Sequence, residues 1–132
     1  MAHCLIVDDS RVIRTVARRI LDALHFVTAE AEDGMSALRA CREKMPDLIL
    51  LDWSMPGMTG VELVRSLRAQ PGGDRPTILI STTEIDAGEI AHAAAAGIDD
   101  YLMKPFDSET LAAKLAELRP HRTAQPLSAA AV

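Results

Sequence analysis

Five short apolar runs, separated by longer amphipathic stretches, leave this chain few folds to choose from. The runs are CLIV at 4–7, FVTAEA at 26–31, LILL at 48–51, TILIS at 77–81 and YLM at 101–103. A run such as LILL has no polar side, so a strand built from it must be covered on both faces. The stretches between the runs carry apolar residues at three- and four-residue spacing, which reads as helix. Strands alternating with helices predict an α/β protein, with a central five-stranded parallel sheet in a three-layer sandwich. Right-handed crossovers then set the winding. The 132 residues suffice for one such domain.

Punctuation residues support the helices. Ser10 is placed to cap the first, with Val12, Ile13, Val16, Ile20, Leu21 and Leu24 inward and Arg11, Arg14, Arg18 and Arg19 largely on the other face. The second helix is expected over 35–45, with Leu38, Cys41 and Met45 inward and Pro46 ending it. The third covers 61–70 and meets the breaker PGGDRP. Asp86 caps an alanine-rich fourth helix, with Glu89 at capping-box spacing and Gly97 as the stop. Asp107 caps the fifth, which fades before Pro120. The tail at 120–132 holds two prolines and no apolar period, so it is expected to be disordered.

Bulk properties exclude several classes. A net charge of −5 and a pI near 5.3 lack the electrostatic footprint of a nucleic-acid binder. Cys4 and Cys41 form no C-x-x-C pair and read as reduced, buried residues. The opening MAHCLIVDDS meets two acids too early for a signal peptide, and no apolar run reaches the ~20 residues of a membrane helix. A cytoplasmic protein without membrane insertion is expected. His3, His25, His92 and His121 show no metal-ligand spacing.

In a doubly wound sheet, ligands bind beyond the carboxyl ends of the strands. The residues there are Asp8 and Asp9 after the first run, Asp52 after the third, Thr82 after the fourth and Lys104 after the fifth. A lone aspartate in such a place is ordinary, because loops are polar and Asp caps helices. The full set is not ordinary: three carboxylates, a hydroxyl and an ammonium share one rim. Two carboxylates ~4 Å apart repel by roughly 4 kcal/mol at an effective dielectric of about 20. Three together need a cation, a raised pKa, or both. Oxygen-only ligands suit a hard ion such as Mg²⁺. With Lys104, such an ion can hold a phosphoryl group and neutralise charge as it transfers.

The stretches LIVDDS, EAEDGMSAL, PDLILLDWSMPGMTGVEL, TILISTTE and AAGIDDYLMKPF resemble the receiver domains of two-component response regulators, over about Cys4 to Leu118. DWSMPGMTG, TTE and the tyrosine before LMKPF look closest to the CheY-like, single-domain chemotaxis type. The resemblance implies a flavodoxin-like (βα)5 fold with strand order 2-1-3-4-5, a receiver over 1–119 and a tail over 120–132. It implies Asp52 as phosphoacceptor. Asp9 would bind Mg²⁺ directly, Asp8 directly or through water, and the backbone carbonyl of Ser54 would be a further ligand. Lys104 would pair with the phosphoryl oxygens and join Pro105 through a cis peptide. Thr82, favoured over Ser81 by its spacing to Gly97 and Lys104, would swing its hydroxyl onto the phosphoryl group. Tyr101 would follow inward and alter the surface of the fourth helix, fifth strand and fifth helix. Ser54 and Glu84 flank the path of an attacking water and would tune the phosphoryl lifetime. Thr83 departs from the family, which usually has alanine or glycine there.

The function expected is a phosphorylation-dependent binding switch, not an enzyme beyond its own phosphorylation and dephosphorylation. A histidine kinase or histidine phosphotransfer protein would supply the phosphoryl group. A downstream protein, the flagellar motor switch among the candidates, would receive the signal, since no effector domain follows. A monomer is expected. A phosphate sink or phosphorelay intermediate is the alternative. A Mg²⁺-dependent phosphatase fits less well, because the chain has no insertion long enough for a cap domain. A degenerate receiver that works without phosphorylation is opposed by the complete acid, threonine and lysine set. Trp53 either packs or reports on the site. The arginines of the first helix form either a solvated face or a docking patch.

Overall fold

The computed structural model describes residues 2–84 and 86–118. Five strands, β1 (His3–Val7), β2 (Val27–Ala31), β3 (Leu48–Asp52), β4 (Thr77–Thr82) and β5 (Asp100–Met103), alternate with five helices. The helices are α1 (Arg11–Ala23), α2 (Gly34–Glu43), α3 (Gly60–Ala69), α4 (Ala87–Ala96) and α5 (Ser108–Glu117). The sheet is parallel throughout, in the order β2-β1-β3-β4-β5. The expected flavodoxin-like arrangement is thus the one found. The expectation for 120–132 falls outside the described residues.

Alternation along the strands builds two cores. Cys4, Ile6, Leu48, Leu50, Leu79 and Leu102 point to one face and pack against α1 and α5. Leu5, Val7, Ile49, Leu51, Ile78 and Ile80 point to the other and pack against α2, α3 and α4. β3 and β4 are buried at every position, as a strand covered on both faces must be. β2, at the sheet edge, is largely exposed except for Ala31, so full burial describes the inner strands only. Burial pushes the Cys41 thiol up to about 11 and the Cys4 thiol higher still, which leaves both unreactive.

The first helix corrects the sequence reading. Val12 is 72 % exposed and Val16 40 %, while Ala17, Ile20 and Leu21 face the sheet. At about 100° per residue, Arg14 lies nearer the centre of that buried stripe than either valine. Its long side chain tucks against the ends of β1 and β2, where the Glu30 carboxylate and the Asp8 carbonyl accept from it. The capping box also lies elsewhere. Asp86 accepts from the N–H groups of Gly88 and Glu89, but the reciprocal pair is Thr59 with Glu62, at the start of α3.

The amino ends of the strands are tied by two acids that the sequence reading passed over, Asp47, which is buried, and Asp99, which is half-buried. Asp47, before β3, accepts from His3 N–H (2.8 Å) and Arg75 Nη2 (2.9 Å). Asp99, before β5, accepts from Ile78 N–H (2.8 Å) and Arg68 Nη2 (3.2 Å). Arg68 also donates to the carbonyls of Gly73, Pro76 and Gly97, clamping α3 to the starts of β4 and β5.

Candidate functional site

Main-chain pairing brings the acids together. β1 and β3 are neighbours, with Val7 opposite Leu51. The next residue along each strand is Asp8 and Asp52. One carboxylate oxygen from each of Asp8, Asp9 and Asp52 lies within 4.8 Å of the other two. Asp8 and Asp52 are buried, and Asp9 is exposed at the mouth.

Lys104, delivered by the end of β5, reaches both buried acids. Its Nζ is 2.9 Å from Asp8 Oδ2 and 3.1 Å from Asp52 Oδ1. Burial opposes the ammonium charge, but the hydrogen bonds and charges of Asp8 and Asp52 outweigh it and hold the pKa above the usual lysine value. Three carboxylates against one ammonium still leave the cluster short of positive charge. Asp8 Oδ1 takes the Ser10 N–H (2.9 Å), and Asp52 Oδ1 takes the Ser54 N–H (3.1 Å). Among the described residues, no donor reaches Asp52 Oδ2 or the Asp9 carboxylate. An all-oxygen donor set with a charge deficit and free lone pairs fits a hard divalent cation such as Mg²⁺.

Of the other predicted residues, Ser54 joins the cluster through its backbone N–H, and the remaining side chains make no hydrogen bond to it among the described residues. Thr82 ends β4, but its hydroxyl donates to the Glu84 carbonyl (2.9 Å) and accepts the Glu84 N–H (3.3 Å). It is engaged in its own turn and does not face Asp52 through a hydrogen bond. The Thr82 carbonyl takes the Lys104 N–H (2.8 Å), which registers the exits of β4 and β5. Glu84 and Ser54 are exposed. Tyr101 is half-buried against the core on the α2–α4 face, and Lys114 Nζ stands 5.7 Å from its ring centre. Lys114 also pairs with Asp100 (3.2 Å). The Lys104–Pro105 peptide is cis, as the resemblance implied.

Of the two readings given for Trp53, packing is the one the geometry bears out. The Trp53 indole packs against Gly60, where a Cβ would come to 2.4 Å from the ring, so glycine leaves it room. Trp53 also lines an open cleft of about 490 Å³ with Ser54, Thr59, Glu89 and His92. A more enclosed apolar cavity of about 280 Å³ opens between β1, β2 and the end of α2, and no predicted site residue lines it. Arg14 was assigned to the outer face, yet its guanidinium reaches the Asp8 carbonyl at 2.7 Å.

Comparison with known proteins agrees with this geometry. The family model of the response regulator receiver domain matches residues 4–116. The chain is 38 % identical to the chemotaxis protein CheY of Pseudomonas aeruginosa, over 86 % of this chain and 93 % of that protein. Its fold is similar to that of the chemotaxis protein CheY4 of Vibrio cholerae, with a TM-score of 0.85, 36 % identity, and 89 % and 98 % of the two chains covered. It is similar as well to the receiver domain of the sensor histidine kinase PA1611 of Pseudomonas aeruginosa, with a TM-score of 0.79, 32 % identity, and 88 % and 95 % covered. In that structure a magnesium ion is coordinated in the active-site cleft.

Proposed function

The chain belongs to the response regulator receiver domain family, and on that premise we propose that it is a chemotaxis-type phosphorylation switch with Asp52 as its phosphoacceptor. The observation that carries this reading is the meeting of Asp8, Asp9 and Asp52 within one cluster bridged by Lys104. Asp9, Asp52 and the backbone carbonyl of Ser54 would hold Mg²⁺, with Asp8 as direct or water-mediated support. The bound ion supplies positive charge that offsets the charge on the transferring phosphoryl oxygens.

A histidine kinase or histidine phosphotransfer protein presents the phosphoryl group. The free Asp52 oxygen attacks phosphorus, the bond from phosphorus to the donor's imidazole nitrogen breaks, and the electron pair leaves with the imidazole. Lys104 holds the phosphoryl oxygens as they arrive. In the reverse direction, water attacks phosphorus, the bond to Asp52 breaks and inorganic phosphate departs. Ser54 and Glu84 border that path and set its rate. The Thr82 hydroxyl leaves the Glu84 turn for the phosphoryl group, Tyr101 moves inward, and the α4–β5–α5 surface changes for a target protein. Likeness to CheY proteins along nearly their whole length favours a chemotaxis target, the flagellar motor switch among them, and a cytoplasmic monomer. We assign the receiver to residues 1–119.

Incubation with acetyl phosphate, with and without Mg²⁺, tests this. The mass of one phosphoryl group is expected to be gained only with Mg²⁺ and to be lost in Asp52→Ala. Gain of the same mass by Asp52→Ala would remove Asp52 from its role. The likeness to a receiver domain of a sensor kinase supports a second reading, a phosphorelay intermediate or phosphate sink. Target capture that ignores phosphorylation state would favour it.

A further inference from the structure

Asp8 is held through its N–H, both carboxylate oxygens and its carbonyl, and the hold on the carbonyl comes from a charged side chain on α1. Its N–H donates to the Ala31 carbonyl (3.1 Å), its Oδ1 accepts from Ser10 and its Oδ2 from Lys104. Its backbone carbonyl accepts from Arg14 Nη1 at 2.7 Å. That carbonyl belongs to the peptide joining Asp8 to Asp9, so its direction fixes where the Asp9 carboxylate starts. Arg14 is itself fixed. Its Nε donates to Glu30 Oε1 (3.0 Å), its side chain is only 13 % exposed, and the second Glu30 oxygen is occupied by Arg18. Guanidinium geometry suits this task, because one planar fork holds two acceptors in a set relation.

We propose that Arg14, braced by Glu30, is the positioning residue of the cation site: it fixes the peptide plane between Asp8 and Asp9 and so presets the Asp9 carboxylate for a divalent ion. The proposal rests on the Mg²⁺ reading above and adds a residue to it. Asp9 is exposed and takes no donor among the described residues, so nothing on its own side chain holds it. A supporting partner of a metal ligand typically changes affinity by about 10- to 100-fold when removed. Losing Arg14 is therefore expected to weaken Mg²⁺ binding without altering which residue is phosphorylated.

The test is a Mg²⁺ titration of the full chain, followed by the fluorescence of its single tryptophan, Trp53, and by calorimetry. Arg14→Met is expected to raise the Mg²⁺ dissociation constant about tenfold or more. Arg14→Lys falls between, since it keeps the charge but cannot hold Asp8 and Glu30 in one fork. Arg18→Gln, which loses the Glu30 pair but touches no part of Asp8, stays at the wild-type value. In the metal-free protein, the Asp9 amide resonance is expected to shift or broaden in Arg14→Met while the amides of β4 stay in place. An Arg14→Met affinity within twofold of wild type overturns the assignment and leaves the Mg²⁺ reading intact. Equal weakening in Arg14→Met and Arg18→Gln also overturns it, because general basic charge would then be the cause. If Arg14→Met does not fold, Arg14→Lys and Glu30→Gln decide by the same titration. A wild-type protein that binds no Mg²⁺ ends the functional reading and this assignment together.

Discussion

The two ends of the sheet both bury aspartates, and they treat them in opposite ways. At the amino ends, Asp47 and Asp99 each meet a backbone N–H and an arginine of their own. At the carboxyl ends, Asp8 and Asp52 share one lysine, and Asp9 beside them meets no cation among the described residues. Burial alone does not separate the two kinds, since Asp47, Asp8 and Asp52 are all buried. Charge stoichiometry does. An acid with a complete donor set ties strands together, whereas acids with too few cations are poised for a ligand that brings the missing charge.

The comparison breaks most visibly at Arg68. Removing one partner of a buried ion pair typically costs about 3–5 kcal/mol. Arg68→Ala should lower stability by about 3 kcal/mol, read as a shift in urea midpoint, because it takes the guanidinium away from Asp99 and from three carbonyls. A loss no larger than that of a surface substitution would mean the lower rim's completeness does little.

The upper rim should respond to what it lacks. At 100 times its dissociation constant, Mg²⁺ is expected to stabilise the wild type by about 2.7 kcal/mol. Asp9→Asn should show no such gain in the same thermal melts. Without metal the sign reverses. Asp9→Asn removes one of the mutually repelling charges at the solvent-facing edge, and should stabilise the metal-free protein by about 1 kcal/mol. A lower melting temperature for metal-free Asp9→Asn would show that repulsion does not dominate there.

The smallest effect comes from a rim acid outside the cluster. Asp107 caps α5, and the Thr110 N–H and hydroxyl hold its carboxyl below the ordinary value of 3.8. Its stabilisation is present above that value and is lost as pH falls through the lowered, folded-state pKa. Asp107→Asn keeps a cap but cannot titrate, so the stability difference from wild type should change only in acid, below about pH 4. A difference that shifts near neutral pH would implicate another group.

The upper rim was legible because its parts are local in sequence. LILL followed by Asp52, and CLIV followed by Asp8 and Asp9, announce strand tips carrying acid. Parallel pairing then does the rest. The lower rim was not legible, because Arg68 sits inside a helix and no local pattern points it at Asp99. The face of α1 was misread for a related reason. Its stripe is set by the small Ala17, which carries a weaker apolar signal than Val12 or Val16, and an arginine long enough to reach inward looks the same in sequence as one that does not. The resting place of the Thr82 hydroxyl, in a turn with Glu84, is one that no residue pattern encodes.

The register of β1 and β3 runs to Val7–Leu51, and Asp8 and Asp52 are the next residues along the two strands. The distance between those two acids is therefore inherited from the main chain and owes little to the helices outside. Exterior sequence can be rewritten to suit a new kinase or a new listener while the charge trap at the centre keeps its dimensions. A scaffold with that separation lends itself to duplication and re-specification, since the chemistry travels with two central strands and the address is written elsewhere.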